Sequence, residues 1–590
     1  MNRRHFVAIM TLCAFLMLLH GLKLQSFWGD PARWLFETYR GTSEVVYRDF
    51  AWPYPPLGAL IMSGAFRLFG ATFLTAQIVL DGLSLVIVLL MWAFARRLLS
   101  ARLAFLTTIA ATSALTGIAG FALFAIDTYT PAQLTGMIGW LLLLIVLIDQ
   151  VRDGHWTWSR WLAVSVGSTI GLWSKPEVAL GVIVTLGVLI AIERGRALVK
   201  VLMLGFGPAS IGYLLLGAIT GYDNLFDGIG AYGANTFTCS WWPTGIALFG
   251  VIAALGLGAF GVALLSLPRF KVLQRLRSKY LLSWSVGGLG VLMSAVYLPL
   301  AMNRAGWQSV TLTDVWNYVT SAGTLTLPVM WWSIGVAAWL IALRVRKKQV
   351  PGEWREWLLI GTLGGAMSVR SLFGDSFSIV ALITLAALPL WLIVGPYWLL
   401  KILSRLDAAY AWERVVVVSV CVWAGVWVLN DVVTQVTRPY QRLETLAGPV
   451  YVADDGVSAN VYQYVIEHTH DDAPVLDVIY GGGVNFAARR GSPIYITQFV
   501  HHNPPERLVS ADLDRIAAQP PALVIGNDQP RFGSSFGLIA PTRCPFPRLV
   551  WRPDQLANDP ARSFPALEYV AEHYQPAAQF GDVVVFQPEQ

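Results

Sequence analysis

The chain has 590 residues, of which 55% are apolar and only 13% are Asp, Glu, Lys or Arg. A soluble domain carries about 25% charged residues, so an ordinary globular or disordered protein is excluded and a polytopic membrane protein remains. The formal charge of +6 then reads as basic loops on one side of a membrane rather than as a nucleic-acid surface.

Apolar runs of about 20 residues, the length a helix needs to cross the hydrocarbon core, begin at Phe6 and recur to about Asn430. They predict about 13 transmembrane helices, at about 5–24, 72–95, 103–125, 131–149, 160–174, 176–192, 197–220, 242–266, 281–300, 324–343, 356–372, 376–400 and 414–430. An odd number puts the two termini on opposite sides. Of the 42 Lys and Arg residues, 23 fall in segments assigned to one side, among them Arg3, Arg4, Arg96, Arg97, Arg102 and the runs Arg269 to Lys279 and Arg344 to Lys348. The positive-inside rule makes that side the cytoplasm, which predicts a multi-pass protein of the inner (plasma) membrane with its C-terminal tail periplasmic or extracellular. Met1 to Leu24 has a basic flank but no small-residue cleavage site after it, and reads as an uncleaved first span.

Two stretches depart from the simple pattern. Pro56 to Gly70 is apolar but short and carries Arg67; a crossing there would invert every later loop, so it is expected to lie on the outer leaflet as an interfacial helix. The pair 160–174 and 176–192 is interrupted by LysProGlu at 175–177, and a broken helix at membrane depth is tolerated only where protein covers it or it lines a cavity. Beyond about residue 432 the pattern becomes that of a soluble domain, with strand-like runs at 473–480, 493–497, 522–526 and 582–586 and helical patterns near Ser458–His468 and Ala511–Ala518. The expected organisation is a transmembrane domain over 1–431 and an extracytoplasmic α/β domain over 432–590.

The first outer loop gathers the residues best suited to chemistry. TrpGlyAspProAlaArgTrp at 28–34 and TyrArgAspPheAlaTrpProTyrProProLeuGly at 47–58 place Asp30 and Asp49 among aromatics, with Arg33 and Arg48, at the membrane surface. Cations are scarce on this side. Lys175, Arg304 and Arg370 each sit near an outer helix end, where such residues either anchor the span or meet an anion; Glu177 is close enough in sequence to orient Lys175. Asp127 opens the second outer loop and is equally suited to cap the helix after Pro131. Asp81 lies inside a span, where an acid is costly and serves either function or a bond to a neighbouring helix.

An Asp soon after the first span, followed about twenty residues later by an aromatic–Asp element running into ProProLeu and a helix ending in LeuPheGly, resembles the C-type membrane glycosyltransferase superfamily, in particular the protein O-mannosyltransferases and the lipid A aminoarabinose transferases. In those relatives an acid often follows the first Asp directly, whereas Pro31 does here. The resemblance implies an inverting transfer of a sugar from a polyprenyl-phosphate donor to a lipid or glycan acceptor. It implies Asp30 as general base, Asp49 as a second acid that orients the acceptor or, with Asp30, holds a possible divalent cation, and Lys175, at a matching helix break, as a donor contact; Glu177, Arg370, Arg304, Asp127 and Tyr47 are added as candidate substrate contacts from their own placement on the outer side. Alternatives are a secondary transporter or lipid flippase, for which no internal repeat is found, and a non-catalytic scaffold.

In the tail, HisThrHis at 468–470 with Asp471 and Asp472, and the pair His501 and His502, read as solvated faces rather than metal sites. GlyGlyGly at 481–483 lacks the GxGxxG spacing and reads as a turn. Cys239 and Cys544 both fall outside, where a disulfide could form; Cys13 and Cys421 read as core fillers.

Overall fold

The computed structural model describes residues 3–116, 123–126, 130–192, 196–229, 352–367, 393–397, 400, 412–479, 482–495, 506–527 and 565–589. The crossings expected at about 242–266, 281–300 and 324–343 and most of that at 376–400 lie outside the described residues, as do Asp127, Arg304, Arg370, Cys239, Cys544, His501 and His502.

In chain order the membrane part comprises α1 (Arg3–His20), α2 (Asp30–Arg40), α3 (Leu57–Phe69), α4 (Phe73–Leu98), α5 (Ala101–Thr116), α6 (Pro131–Asp153), α7 (Trp158–Leu172), α8 (Pro176–Ile192), α9 (Arg196–Gly205), α10 (Gly207–Thr220), α11 (Gly352–Met367) and α12 (Trp412–Thr437). Among the described residues, α1, α4, α6 and the stretch Val199–Thr220 are long and apolar enough to cross a membrane. The chain is a helical membrane protein. Large apolar side chains such as Leu180, Leu202, Leu214, Leu215 and Ile219 are exposed on these helices, which water would penalise and lipid does not. Thr residues start three of them: Thr72 accepts the N–H of Thr75, Thr130 that of Ala132, and Thr157 that of Arg160, each satisfying an amide that the first helical turn leaves open.

Helices α6 and α7 pack through glycine. A methyl group at Gly139 would sit 2.5 Å from the backbone nitrogen of Gly171 and 2.9 Å from the carbonyl oxygen of Gly167, so the two backbones touch where small residues stand four apart. The LysProGlu interruption is the bend of a helical hairpin: α7 ends at Leu172 and α8 restarts at Pro176, with Gly171 facing Val182. Residues 123–126 are irregular and buried. Gln77 of α4 donates to the Phe124 carbonyl at 3.0 Å, and Ser84 accepts the Phe124 N–H at 3.1 Å. Asp81 takes the other Gln77 hydrogen at 2.8 Å, a structural bond that orients the amide.

The helix ends separate into two sides. On one, Arg97 pairs with Asp149 at 2.7 Å, Arg152 with Glu356 at 2.7 Å, and the Ser100 hydroxyl donates to Glu413 at 2.6 Å. On the other lie the first loop and the tail. Helix α3 stays on that second side: the Leu57 N–H donates to the carbonyl of Trp173, Gly58 abuts the backbone of Ala132, and beyond its other end Arg489 of the tail donates to the Ala71 carbonyl. At about 1.5 Å per residue α3 is also too short for a crossing of about 30 Å. Arg67 donates to the carbonyls of Gly41 and Thr42 just past α2.

The tail folds onto the first loop. Strands β2 (Gln441–Thr445) and β3 (Gly448–Val452) are antiparallel, and β1 (Lys23–Leu24), directly after α1, adds in parallel to β3. A second sheet has the order β4-β5-β7-β6, from Val475–Asp477, Leu523–Asn527, Val583–Pro588 and Tyr574–Phe580. Around these lie α13 (Val457–His468), α14 (Gly483–Ala488), α15 (Glu506–Ala518) and α16 (Pro565–His573). The strand expected at 493–497 is not one over its described residues 493–495. Its carbonyls go to the first loop instead, Ile494 accepting from Arg40 at 2.7 Å and Tyr495 from the Ala51 N–H at 2.9 Å. A buried His20–Asp431 contact of 2.9 Å ties α1 to α12 beneath this assembly. Cys13 is buried as expected, but Cys421 is exposed and fills no core.

Candidate active site

Helix α2 begins at the residue of greatest interest. Gly29, at φ +106°, turns the chain into it, a conformation open to glycine and strained for other residues. Pro31 then supplies a preset helical φ in the first turn, and Asp30 places its carboxylate at the positive end of the helix. Spacing does the rest. Positions 30, 33 and 37 share a helix face, and Arg33 is held between two acids: Nη1 donates to Glu37 at 2.9 Å and Nη2 to Asp30 at 3.3 Å. Arg33 is 0% and Glu37 1% exposed, whereas the Asp30 side chain keeps 18%.

Tyr54, from the aromatic–Asp element of the loop, completes the arrangement. Arg33 Nη2 donates to its hydroxyl at 3.4 Å, and the guanidinium carbon lies 5.5 Å from the ring centroid. Lys175, at the α7–α8 bend, brings Nζ to 5.8 Å from the same centroid, so two cations share one aromatic ring. Both Lys175 and Glu177 are buried, at 1% and 6% exposure. Trp52 packs edge-on against Tyr54 with centroids 5.7 Å apart. Of the expected residues the structure thus gathers Asp30 and Lys175 around Tyr54, with Arg33 and Glu37; Glu177 is buried in the first turn of α8.

Asp49 and Tyr47 make their contacts within the first loop and to the tail. Asp49 turns toward its own loop: its carboxylate accepts the Val45 N–H at 2.8 Å and pairs with Arg48 at 2.8 Å, while its carbonyl accepts from Arg40 and Arg515. The Arg48 hydrogen bond holds the Asp49 carboxyl below its usual range, against a partial burial that would raise it. Tyr47 is buried at φ +68°. Its hydroxyl donates to the Tyr54 carbonyl, and its own carbonyl accepts from the Tyr495 hydroxyl at 2.6 Å. Burial, with Tyr213 and Tyr495 close by, pushes its phenol well above the usual value. It therefore braces the Tyr54 loop. For a divalent cation the fit is poor: Asp30 and Asp49 each face an arginine, and no group of three His, Cys, Asp or Glu among the described residues could hold a metal. His468 stacks on Tyr464, and Asp471 pairs with Arg490.

Residues 54–216 match the family described as dolichyl-phosphate-mannose-protein mannosyltransferase. The match bears out the resemblance to C-type glycosyltransferases. It includes Tyr54, Lys175 and Glu177 and stops short of Asp30, Arg33 and Glu37. Among solved structures the chain is similar to ArnT from Cupriavidus metallidurans bound to undecaprenyl phosphate, at 11% identity and TM-score 0.43 over 99% of this chain and 98% of that one. It is also similar to the oligosaccharyltransferase AglB from Archaeoglobus fulgidus in complex with an inhibitory peptide and a dolichol-phosphate, at 11% identity and TM-score 0.47 over 89% of this chain and 69% of that one. No curated protein matches the chain.

Proposed function

We propose that the chain is an inverting glycosyltransferase that moves a sugar from a polyprenyl-phosphate donor to a hydroxyl acceptor at the outer face of the membrane. The observation that carries this reading is the unequal burial of three carboxylates around two cations. Glu37 is shut away and holds Arg33 in place, and Glu177 is shut away two residues along the chain from Lys175; Asp30 retains access, as a group that must take a proton from an incoming acceptor needs. In the step, the acceptor oxygen bonds to the anomeric carbon, its proton passes to Asp30, and the bond from carbon to phosphate oxygen breaks. Arg33 and Lys175 meet the charge that develops on the departing phosphate, in a site dry enough to make that interaction strong. Asp49 orders the loop that carries Tyr54 and acts on acceptor binding indirectly. The positive-inside count supports placing this face, with the tail, outside the cytoplasm.

The test is Asp30→Asn, which keeps volume and removes the base. With a panel of polyprenyl-phosphate sugars, mannose among them, transfer should fall by roughly 10²–10⁴-fold while binding of undecaprenyl phosphate persists. Transfer at the wild-type rate would remove Asp30 from the reaction.

A further inference from the structure

The tail reaches the back of the helix that carries Asp30. Gly482 and Gly483 turn the chain into α14 as its N-cap and first residue, and Asp477, a buried acid, accepts the N–H groups of Ile479 at 3.0 Å and Gly482 at 3.1 Å. This turn presses on α2. A methyl group at Gly482 would lie 2.5 Å from the Phe36 ring; one at Gly483 would lie 2.4 Å from the Phe27 carbonyl oxygen and 2.8 Å from the Ala32 methyl. The pair Ala32 and Phe36 is centred about 100° around the helix from the pair Arg33 and Glu37. Helix α2 is therefore held between the Tyr54 cluster on one face and the glycine turn on the next. A second grip fixes its entry, where the Phe27 N–H donates to Ser458 at 3.0 Å. Farther along, Phe486 of α14 packs on Phe66 and Phe73, with ring centroids 5.7 and 4.9 Å away.

We propose that Gly482 and Gly483 are positioning residues for Asp30, so that the C-terminal domain governs turnover by seating α2 rather than by touching substrate. This inference rests on the transferase reading above. Neither glycine tolerates a side chain: Gly482 has φ +76°, and the neighbours of Gly483 include backbone, which cannot rotate away as a side chain could. Ordinary contact begins near 3.4 Å, so a methyl at Gly483, 2.4 Å from the Phe27 oxygen and 2.8 Å from the Ala32 methyl, forces about 1 Å of separation from the segment that enters α2 and more than half of that from the helix itself. Misplacement of that size at a reacting group costs on the order of 10²-fold in rate.

The experiment compares Gly483→Ala with Gly581→Ala. Gly581 has positive φ, as Gly482 has, but its neighbour is Val457 within the tail, so that variant strains the tail without pressing on α2. For Gly483→Ala, turnover per folded molecule should fall by roughly 10–10²-fold, with undecaprenyl phosphate affinity within about threefold. Hydrogen exchange over residues 27–40 should quicken in Gly483→Ala and stay unchanged in Gly581→Ala. Unchanged exchange or unchanged turnover in folded Gly483→Ala overturns the inference, as does equal loss of turnover in both variants. Quickened exchange in a chain whose wild type transfers no sugar upholds the seat and overturns the transferase reading. If Gly483→Ala fails to fold, Ser458→Ala, which removes the acceptor for Phe27 and the hydroxyl's bond to Asp454 within the tail, is judged by the same two measurements.

Discussion

Arg33 has no exposure at all, and its strongest contact is with a carboxylate that has almost none. Removing one member of such a pair strands the other, at a cost of about 3–5 kcal/mol. In Glu37→Leu, Arg33 keeps Asp30 at 3.3 Å and the Tyr54 hydroxyl at 3.4 Å, both longer than the 2.9 Å bond it loses. The retained partners soften the loss, which places it near the lower end, at about 3 kcal/mol. Arg33→Met alone buries Glu37 without its arginine and should cost a similar amount. Replacing both together leaves neither charge stranded, and a buried pair exchanged for apolar side chains is often close to neutral. The assay is thermal unfolding of the purified protein followed by tryptophan fluorescence, run beside sugar transfer. The double variant should unfold above either single variant yet transfer little, because the donor phosphate has lost a cation. If Glu37→Leu unfolds where the wild type does, or the double variant is no more stable than the singles, the buried pair is not what holds α2. Wild-type transfer by the double variant would remove Arg33 from the chemistry.

Lys175→Met keeps the apolar stem and removes the charge, so undecaprenyl phosphate affinity and turnover should fall together by at least about 10-fold, the size of one lost charge-assisted hydrogen bond; normal affinity would reduce Lys175 to an interfacial anchor. Asp49 has a carboxyl lowered in the folded chain, which stabilises above its unfolded value of about 3.9 and loses that contribution as the pH falls through the lower folded value. Protease nicking at 45–49 should therefore begin only below about pH 4 in the wild type and should be independent of pH over that range in Asp49→Asn; onset near pH 6 would contradict the role given to Arg48. A reporter fused after Gln590 should be active only outside the cytoplasm and one fused near Arg275 only inside, and the reverse at either site would end the assignment of sides by charge.

Asp30 and Lys175 were legible in the sequence for different reasons. Asp30 stands in a pattern of acid, aromatics and ProProLeu, and Lys175 stands out because cations are rare on its side. Arg33 and Glu37 carry a readable signal too, an acid, a base and an acid at i, i+3 and i+7, but it speaks only once 30–40 is recognised as a helix. A stretch with Asp, Pro and Arg in its first four residues reads first as loop. Tyr54 is different in kind. Its ring joins residues 21 and 121 positions away, and no local pattern reports that. The same limit hid β1, two residues whose partners are Tyr451 and Val452. It also misled at 493–495, where an alternating apolar run gives its carbonyls to Arg40 and Ala51 rather than to a sheet.

In the proposed transfer Arg33, which donates to Asp30 and is assigned to the departing phosphate, has a consequence for the order of events. Before reaction Asp30 is a carboxylate and the donor phosphate carries a single negative charge as a diester; afterwards Asp30 has gained the acceptor's proton and the phosphate, now a monoester, carries one charge more. The total is unchanged, and the negative charge has passed from Asp30 to the leaving group. Protonation of Asp30 weakens its hold on Arg33 Nη2, the bond already the longer of the guanidinium's two to carboxylates, as the phosphate begins to demand a partner. Glu37, buried and tightly bound, keeps the guanidinium from following the phosphate out. A single buried arginine, fixed by one acid and shared with another, can in this way couple acceptance of the proton to release of the phosphate without any group having to move far.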